Sequence, residues 1–297
     1  MAVTLMRHES EARSLDVFTR DEPCTIGELG AADEPEVIEF LSARTIHTVF
    51  MASLIRDNGM VSPLNRGSFY SSRAGNGSLD GVALLGHATV LEARSENSLA
   101  SFARLARNCL NARLIRGEQE TIHNFWKYYA NSGQEPRLIS RELLFERKAP
   151  AKVEPVDDLR PATLNDLDKI LAVNASMAFQ EGGTSPMQND PGGFRFRTAR
   201  RIEQGRIWVW MQDDRLVFKA DVVAETPQVS YLEGIHVHVE ERRRGYGLRC
   251  LTSLSSILLR CGESICLTVN EKNKHAAKLY EKAGYQFHSH YETIYLR

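Results

Sequence analysis

The most constraining stretch of this 297-residue sequence is YLEGIHVHVEERRRGYGL at positions 231–248. Its first half has the β-branched and aromatic content of a strand, and a glycine-spaced turn then opens a helical apolar period. A strand that enters a helix through such a turn leaves the first helical amides unpaired and pointing outward. With the helix dipole added, this predicts a site for a pyrophosphate. Gly245 and Gly247 carry no Cβ, so a phosphate can approach their backbone, and Arg242, Arg243 and Arg244 supply positive charge nearby. Glycines at strand-to-helix turns also serve purely steric needs, and an arginine run can be a solvated face, so both readings stand at this point. The Lys-Ser/Thr ending of a nucleotide P-loop and the longer glycine spacing of a dinucleotide fold are missing, which disfavours a nucleoside triphosphate and NAD.

Composition narrows the class further. Lys and Arg number 37 against 38 Asp and Glu, a formal net charge of -1. Proteins that grip nucleic acid by neutralising phosphates carry a basic excess, so no nucleic-acid partner is expected. The five cysteines, Cys24, Cys109, Cys250, Cys261 and Cys266, form no C-x-x-C pair and are expected as free thiols. No His/Cys/Asp cluster has metal spacing, so no metal is expected. The N-terminus shows no basic region followed by a long apolar stretch, and no run approaches the ~20 apolar residues of a membrane span. The sequence reads as cytoplasmic, without a membrane partner; its oligomeric state is left open.

The organisation reads as two similar halves. Residues 1–30 are polar and aperiodic and are expected as an N-terminal arm. Pro35 then opens a helical period carried by Val37, Ile38, Leu41, Ile46, Val49, Phe50 and Leu54. Strands are expected at 68–70 and 81–90, helices at 97–107 and 118–129, and strands at 113–115 and 137–145. Residues 148–157 are polar and proline-bearing, as in a linker. The second half, 158–297, repeats the order with a capped helix from Thr163, a Gly/Pro-rich stretch at 182–193 and three strands across 207–239. The glycine turn, a helix at 246–261, a strand at 265–269, a helix at 273–283 and two short strands complete it. The shared order of helix, antiparallel strands, helix, strand, helix and strand suggests a tandem repeat whose second copy alone kept the glycine turn.

Here the sequence resembles the GNAT superfamily of acyl-CoA-dependent N-acyltransferases. The family's acyl-CoA loop, Gln/Arg-x-x-Gly-x-Gly/Ala after a strand, is matched by Arg242, Gly245 and Gly247. Its downstream motif, a strand, an Asn and a helix ending in Leu-Tyr-x-x-x-Gly-Phe/Tyr, is matched by Asn270, Asn273, Ala276, Ala277, Leu279, Tyr280, Gly284 and Tyr285. The likeness covers about residues 158–297, and the two-half layout resembles tandem GNAT proteins with a degenerate first copy at 31–147. One departure is Val239, where the family usually has proline before the loop. The resemblance implies an α+β fold of two tandem GNAT-like domains, each a mixed, mostly antiparallel sheet flanked by helices. It implies acetyl-CoA as acyl donor, held by Ile235, His236, Val237, Arg242, Arg243, Arg244, Gly245, Tyr246, Gly247, Leu248, Asn270, Asn273, Ala277 and Tyr280, with the backbone N–H near Val237 as oxyanion donor.

Acyl transfer to an amine sets the remaining demands. An amine with pKa about 10.4 must lose a proton at pH 7, which costs about 4–5 kcal/mol, so a base matters. Glu233 is the candidate: by strand alternation it shares a face with Ile235 and Val237, and a carboxylate on an apolar face is either paired structurally or kept for function. The run Leu-Glu-Gly-Ile-x-Val is similar to that of GNAT enzymes acting on polyamines or aminoglycosides, where this Glu approaches the amine. Tyr280 matches the family's usual acid for the leaving thiolate, or is a packed aromatic. Asn273 caps its helix or contacts the CoA arm. His236 and His238 fall on the opposite parity and are alternative bases or ordinary half-buried histidines. In the first half, residues 87–94 sit where a loop would follow its strand, without Gly-x-Gly, so CoA is not expected to bind there productively. The reading is an acetyl-CoA-dependent N-acetyltransferase acting directly on an amine-bearing small molecule or peptide. Its alternative is a non-catalytic acyl-CoA sensor.

Overall fold

The computed structural model describes residues 24–130, 133–150 and 156–297. Residues 1–23 of the expected arm and 151–155 of the expected linker lie outside these described residues. In the first half, strand β1 (Thr25–Glu28) precedes helices α1 (Glu34–Ser42) and α2 (Thr45–Asn58) and strands β2 (Gly67–Arg73), β3 (Leu79–Gly86) and β4 (Ala88–Ala93). Helix α3 (Glu96–Ala106), strand β5 (Leu114–Glu118), helix α4 (Gln119–Tyr129) and strand β6 (Leu138–Arg147) follow. The second half opens with β7 (Leu159–Pro161), α5 (Leu167–Gly182), α6 (Pro186–Asn189), α7 (Pro191–Glu203), β8 (Ile207–Gln212) and β9 (Arg215–Glu225). It ends with β10 (Val229–Val237), α8 (Tyr246–Leu258), β11 (Ser264–Asn270), α9 (Lys274–Lys282) and β12 (Gln286–Tyr295).

Four local departures from the periodicity have identifiable causes. Structure begins earlier than Pro35, because Thr25–Glu28 pairs antiparallel with β2. The helical period after Pro35 breaks at Arg44, whose φ of -138° and ψ of 59° turn the chain into α2. Thr48 pins that corner by donating its hydroxyl to the Leu41 carbonyl at 2.7 Å. The single strand expected at 81–90 folds back at His87 into β3 and β4, and Gly86 allows the corner: a Cβ there would lie 2.4 Å from Gly67 Cα. The two short strands at the C-terminal end are one strand, β12, with an irregularity between Phe287 and Ser289.

One twelve-stranded sheet, in the order β1-β2-β3-β4-β5-β12-β6-β11-β10-β9-β8-β7, runs through both halves. Neighbours are antiparallel except β4–β5 and β10–β11, one parallel pair per half. The halves are not merely juxtaposed. β6, from the first half, pairs with β11 of the second, and β12, at the far end of the chain, pairs with β5 of the first. Strand exchange of this kind has no local sequence signature, because an antiparallel edge accepts any strand of suitable face pattern.

Helices cover both faces. α3 and α4 pack Leu99, Phe102, Ile122 and Phe125 on one face, and α8 and α9 pack Leu251, Leu254 and Tyr280 on its continuation around Phe145 and Leu267. α1 and α2 pack on the other face over Phe69, Val82 and Leu84, while α5 and α7 close over Ile207 and Val209. α2 also reaches β9 and β10 of the second half, where Val49 meets Ala224 and Tyr231. Each fully buried Leu or Phe contributes roughly 1.5–3 kcal/mol. All five cysteines are free thiols, with Cys250 and Cys266 in the interior. Among the described residues, no helix is long and apolar enough to cross a membrane, and no cluster of His, Cys, Asp and Glu is placed to hold a metal ion.

Candidate active site

β10 and β11 are parallel neighbours only from Val229 and Ser264 to Leu232 and Leu267; beyond this their ladder stops. A cavity of about 1300 Å³ opens from the splay, lined by both halves of the chain. β10 then leads to Gly245, whose φ of +82° makes it the N-terminal residue flanking α8. Among the described residues no side chain caps this helix, in contrast to Asp190 on α7 and Asn273 on α9. The first amides of a thirteen-residue helix therefore face the cavity mouth without a partner among the described residues. Nothing lies within 4 Å of a Cβ built on Gly245, so glycine is required here by the left-handed backbone and the space in front of it is open. Gly247 is small for a different reason. Its missing Cβ would sit 3.0 Å from Val237 Cγ2 and 3.5 Å from Leu279, so this glycine lets the turn pack on β10 and α9 rather than clearing room for a phosphate.

The arginines diverge. Arg242 and Arg243 line the cavity, and Arg242 donates Nε to the Val237 carbonyl at 3.1 Å. Arg244 turns away to Glu241, 2.9 Å distant, and Glu241 is also held by Arg215 at 2.9 Å. The buried Glu241 thus anchors the loop from beneath.

A bulge reorients β10. Glu233 pairs with Asp221, and His236 pairs with Lys219, so three residues advance on β10 against two on β9, with Gly234 at φ +61°. This corrects the expected parity: Glu233 shares a face with His236, and Val237 falls on the opposite one. Lys219 is fully buried, lies 2.8 Å from Asp221, and donates Nζ to the Gly234 carbonyl at 2.9 Å. The pair holds the bulge from below. Burial first, then the charges on Lys219 and Arg242, lower the His236 imidazole to about 4, so it is neutral near pH 7.

Glu233 is held by the first half of the chain. Arg116, on β5, donates Nη1 to Glu233 Oε1 at 2.5 Å and Nη2 to Glu142 Oε2 at 3.1 Å and to Thr268 Oγ1 at 2.6 Å; it also reaches the Tyr231 hydroxyl. Tyr231 in turn donates to Glu233 Oε1 at 2.8 Å. Burial would raise the Glu233 carboxyl, but the Arg116 guanidinium and the Tyr231 hydroxyl outweigh it and hold the group below the usual carboxylate range. Both bonds use Oε1, and Oε2 accepts none from a described residue.

Tyr280 lines the same cavity with its ring packed edge-on against Phe145, the centroids 6.2 Å apart. Its hydroxyl makes no hydrogen bond with a described residue and opens on the cavity, and burial first, then the charge on Glu181, push it well above the usual phenol value. Asn273 caps α9 by accepting the Ala276 amide at 3.1 Å. Asn270 is engaged by the Lys272 amide and Ser140. Ala277 is in the core beside Tyr280, not on the cavity wall. Ile235, Tyr246 and Leu248 do line it. Arg116, Glu142 and Glu181 were missed from the sequence. No motif surrounds them, and two of the three stand on strands whose neighbours are set by the exchange of β6 and β12.

The corresponding place in the first half is crossed by an ion pair, and its strand ends, Glu92 and Glu118 among them, line the same cavity. β4 and β5 pair only at Ala88–Leu114 and Thr89–Ile115. Just beyond, Arg44 bridges Glu92 on β4 at 2.9 Å and Glu118 on β5 at 2.6 Å. α3 is capped by Ser95, which accepts the Ser98 amide at 3.2 Å, and the Asp80 carboxylate accepts hydroxyl bonds from both serines, at 2.5 Å from Ser98. A carboxylate already faces this helix terminus.

Residues 219–294 match the FR47-like protein family. These residues contain β10, the glycine turn, α8 and α9. No curated protein sequence matches the chain. Among solved structures, a Drosophila protein superimposes with a TM-score of 0.69 at 12% identity, over 92% of this chain and 98% of that one. A GCN5-related N-acetyltransferase from Sphaerobacter thermophilus gives a TM-score of 0.58 at 14% identity, over 94% and 98%. A tandem GNAT protein from the clavulanic acid biosynthesis pathway gives 0.57 at 14% identity, over 92% and 98%. The chain has the tandem GNAT fold. Among the described residues of this GNAT fold, the parallel splay, the bulge and the uncapped helix coincide in the second half and not in the first.

Proposed function

We propose that the protein is an acetyl-CoA-dependent N-acetyltransferase whose second half, residues 158–297, transfers the acyl group directly to an amine. The single observation that carries this reading is the uncapped N-terminus of α8 at the mouth of the β10–β11 splay, with the unbonded Tyr280 hydroxyl on the same cavity. The α8 amides with Arg242 and Arg243 take the pyrophosphate of acetyl-CoA. Ile235, His236 and Val237 flank the pantetheine arm along the free edge of β10, and a backbone N–H there meets the developing oxyanion. Tyr280, held protonated, donates a hydrogen bond to the departing sulfur. Its high pKa suits it to stabilising a thiolate rather than fully protonating one, since thiols ionise near about 8.5. Glu233, fixed on Arg116 through Oε1, offers Oε2 to the acceptor nitrogen.

The first half, residues 31–147, supplies Arg116 and the far wall of the acceptor cavity and binds no acyl-CoA of its own, because Arg44 bridges its splay and Asp80 faces the start of α3. A second reading, an acyl-CoA sensor without turnover, draws on one observation: a carboxylate clamped by a guanidinium is a weak base. Thiol release from acetyl-CoA over a panel of peptide, lysine-like, polyamine and small-metabolite amines separates the two. Amine-dependent release establishes the transferase, and saturable binding without release establishes the sensor.

A further inference from the structure

Glu233 cannot be both clamped by Arg116 and an effective proton acceptor, yet the amine must lose its proton before attack. One other carboxylate on the cavity wall is unengaged. Glu181 lies in the last turn of α5 and makes no hydrogen bond or ion pair with a described residue, whereas Glu142 is held by Arg116 and Thr293, and Asp221 by Lys219. The end of α5 is fixed in place. Gly182 lies against the Tyr295 ring, where a Cβ would come within 3.1 Å of Cε1, and Gly183 stops the helix at φ +67° with its amide on the Phe179 carbonyl at 2.8 Å. Glu181 is thereby carried to the cavity that Glu233 and Tyr280 also line.

We propose that Glu181 is the general base of the acyl transfer assigned above, an assignment that rests on that reading. Its carboxylate takes one proton from the acceptor ammonium. The freed nitrogen lone pair forms the C–N bond at the thioester carbon, and the carbonyl electrons move to oxygen. Collapse of that oxyanion breaks the C–S bond, and the electron pair leaves with sulfur. The second nitrogen proton reaches the thiolate through solvent while the Tyr280 hydroxyl donates its hydrogen bond to the sulfur, giving the thiol and the amide. Glu181 returns its proton to water, so one proton is released per turnover.

The surroundings suit the task. Glu142 on β6 and Glu233 on β10 place like charge near Glu181, while Arg116 on β5 and Lys219 on β9 place opposite charge. Arg137 flanks Gly183, Arg201 on α7 lies 3.8 Å from Asp221, and the hydroxyl-bearing neighbours are Tyr280 and Tyr295. Arg116 and Lys219 are each already committed to a carboxylate. Glu181 is solvent-exposed in the open cavity, so an incoming ammonium can reach its carboxylate; partial desolvation by the cavity walls first, then the charges on Glu233 and Glu142, push the carboxyl up to about 7, where a base is half ready and still strong enough to act.

The test pairs Glu181→Gln and Glu181→Asp with the unaltered protein. In Glu181→Gln the kcat/KM for the best amine falls roughly 100-fold or more and the acidic limb of its pH profile disappears, while acetyl-CoA affinity by calorimetry stays within about twofold. Glu181→Asp recovers part of the rate and restores the limb. A carbon-13 carboxyl titration of the unaltered protein supplies a second readout, with one resonance, missing in Glu181→Gln, titrating near 7. A midpoint at the ordinary carboxylate value, or a Glu181→Gln variant with unchanged rate and limb, overturns the base assignment and leaves the transferase reading standing. Failure of the unaltered protein to bind acetyl-CoA removes the transferase reading and the base with it.

Discussion

Arg116 Nη1 and Glu233 Oε1 stand 2.5 Å apart, joining a strand of the first half to the bulged strand of the second. This contact makes the two halves one site. Arg116→Met strands Glu142 and Glu233 as unpaired carboxylates in the cavity. Complete loss of one partner from a fully buried pair costs about 3–5 kcal/mol; the partial access of both groups to the cavity reduces this to about 2 kcal/mol. Urea unfolding checks the figure. Glu233 is depressed in the folded state, so the stabilisation it gains from Arg116 is present above the unfolded carboxylate pKa and is lost as pH falls through the folded one. The penalty of Arg116→Met is therefore largest at neutral pH and shrinks in acid. A constant penalty down to pH 3 contradicts the pairing.

Tyr280→Phe removes the hydroxyl and keeps the ring that packs on Phe145. The expected outcome is a fall in kcat of roughly 100-fold with acetyl-CoA affinity and thermal stability nearly unchanged. Steady-state kinetics beside calorimetry read this directly, and a near-normal kcat returns Tyr280 to a packing role.

Removing Asp221 exposes the bulge. Asp221→Asn leaves Lys219 buried without a counter-charge, and breaking such a pair costs about 3–5 kcal/mol. The variant is expected to lose stability by that order in denaturant titration. A loss under about 1 kcal/mol means that the lysine is not a charged clamp on the Gly234 carbonyl.

Much of the site was legible in the sequence, because a strand, a glycine turn and a helix are adjacent in the chain. Gly245, Asn273 and Tyr280 sit at the places their spacing implies, although Gly247 makes room for Val237 and not for a ligand. Alternation failed at Glu233 because one bulge residue moves every later side chain to the other face. Arg116 and Glu142 were not legible, since their approach depends on β12 inserting beside β5 and β6 beside β11, pairings between residues 118 to 181 positions apart. Glu181 was hidden by its ordinary place at the end of an amphipathic helix. The same limit applies to Arg44, which bridges the first half's splay, and to Asp80, which faces the start of α3; both roles are visible only once their partners are in place.

On the proposed function, acyl-CoA occupies the second half alone, at the uncapped start of α8. Calorimetric titration with acetyl-CoA, on the unaltered protein and on Gly245→Asp, tests it most directly. One site per chain is expected, with no measurable binding in Gly245→Asp, where a carboxylate and a strained left-handed residue would displace the pyrophosphate. Two sites per chain, or unchanged affinity in Gly245→Asp, contradicts it.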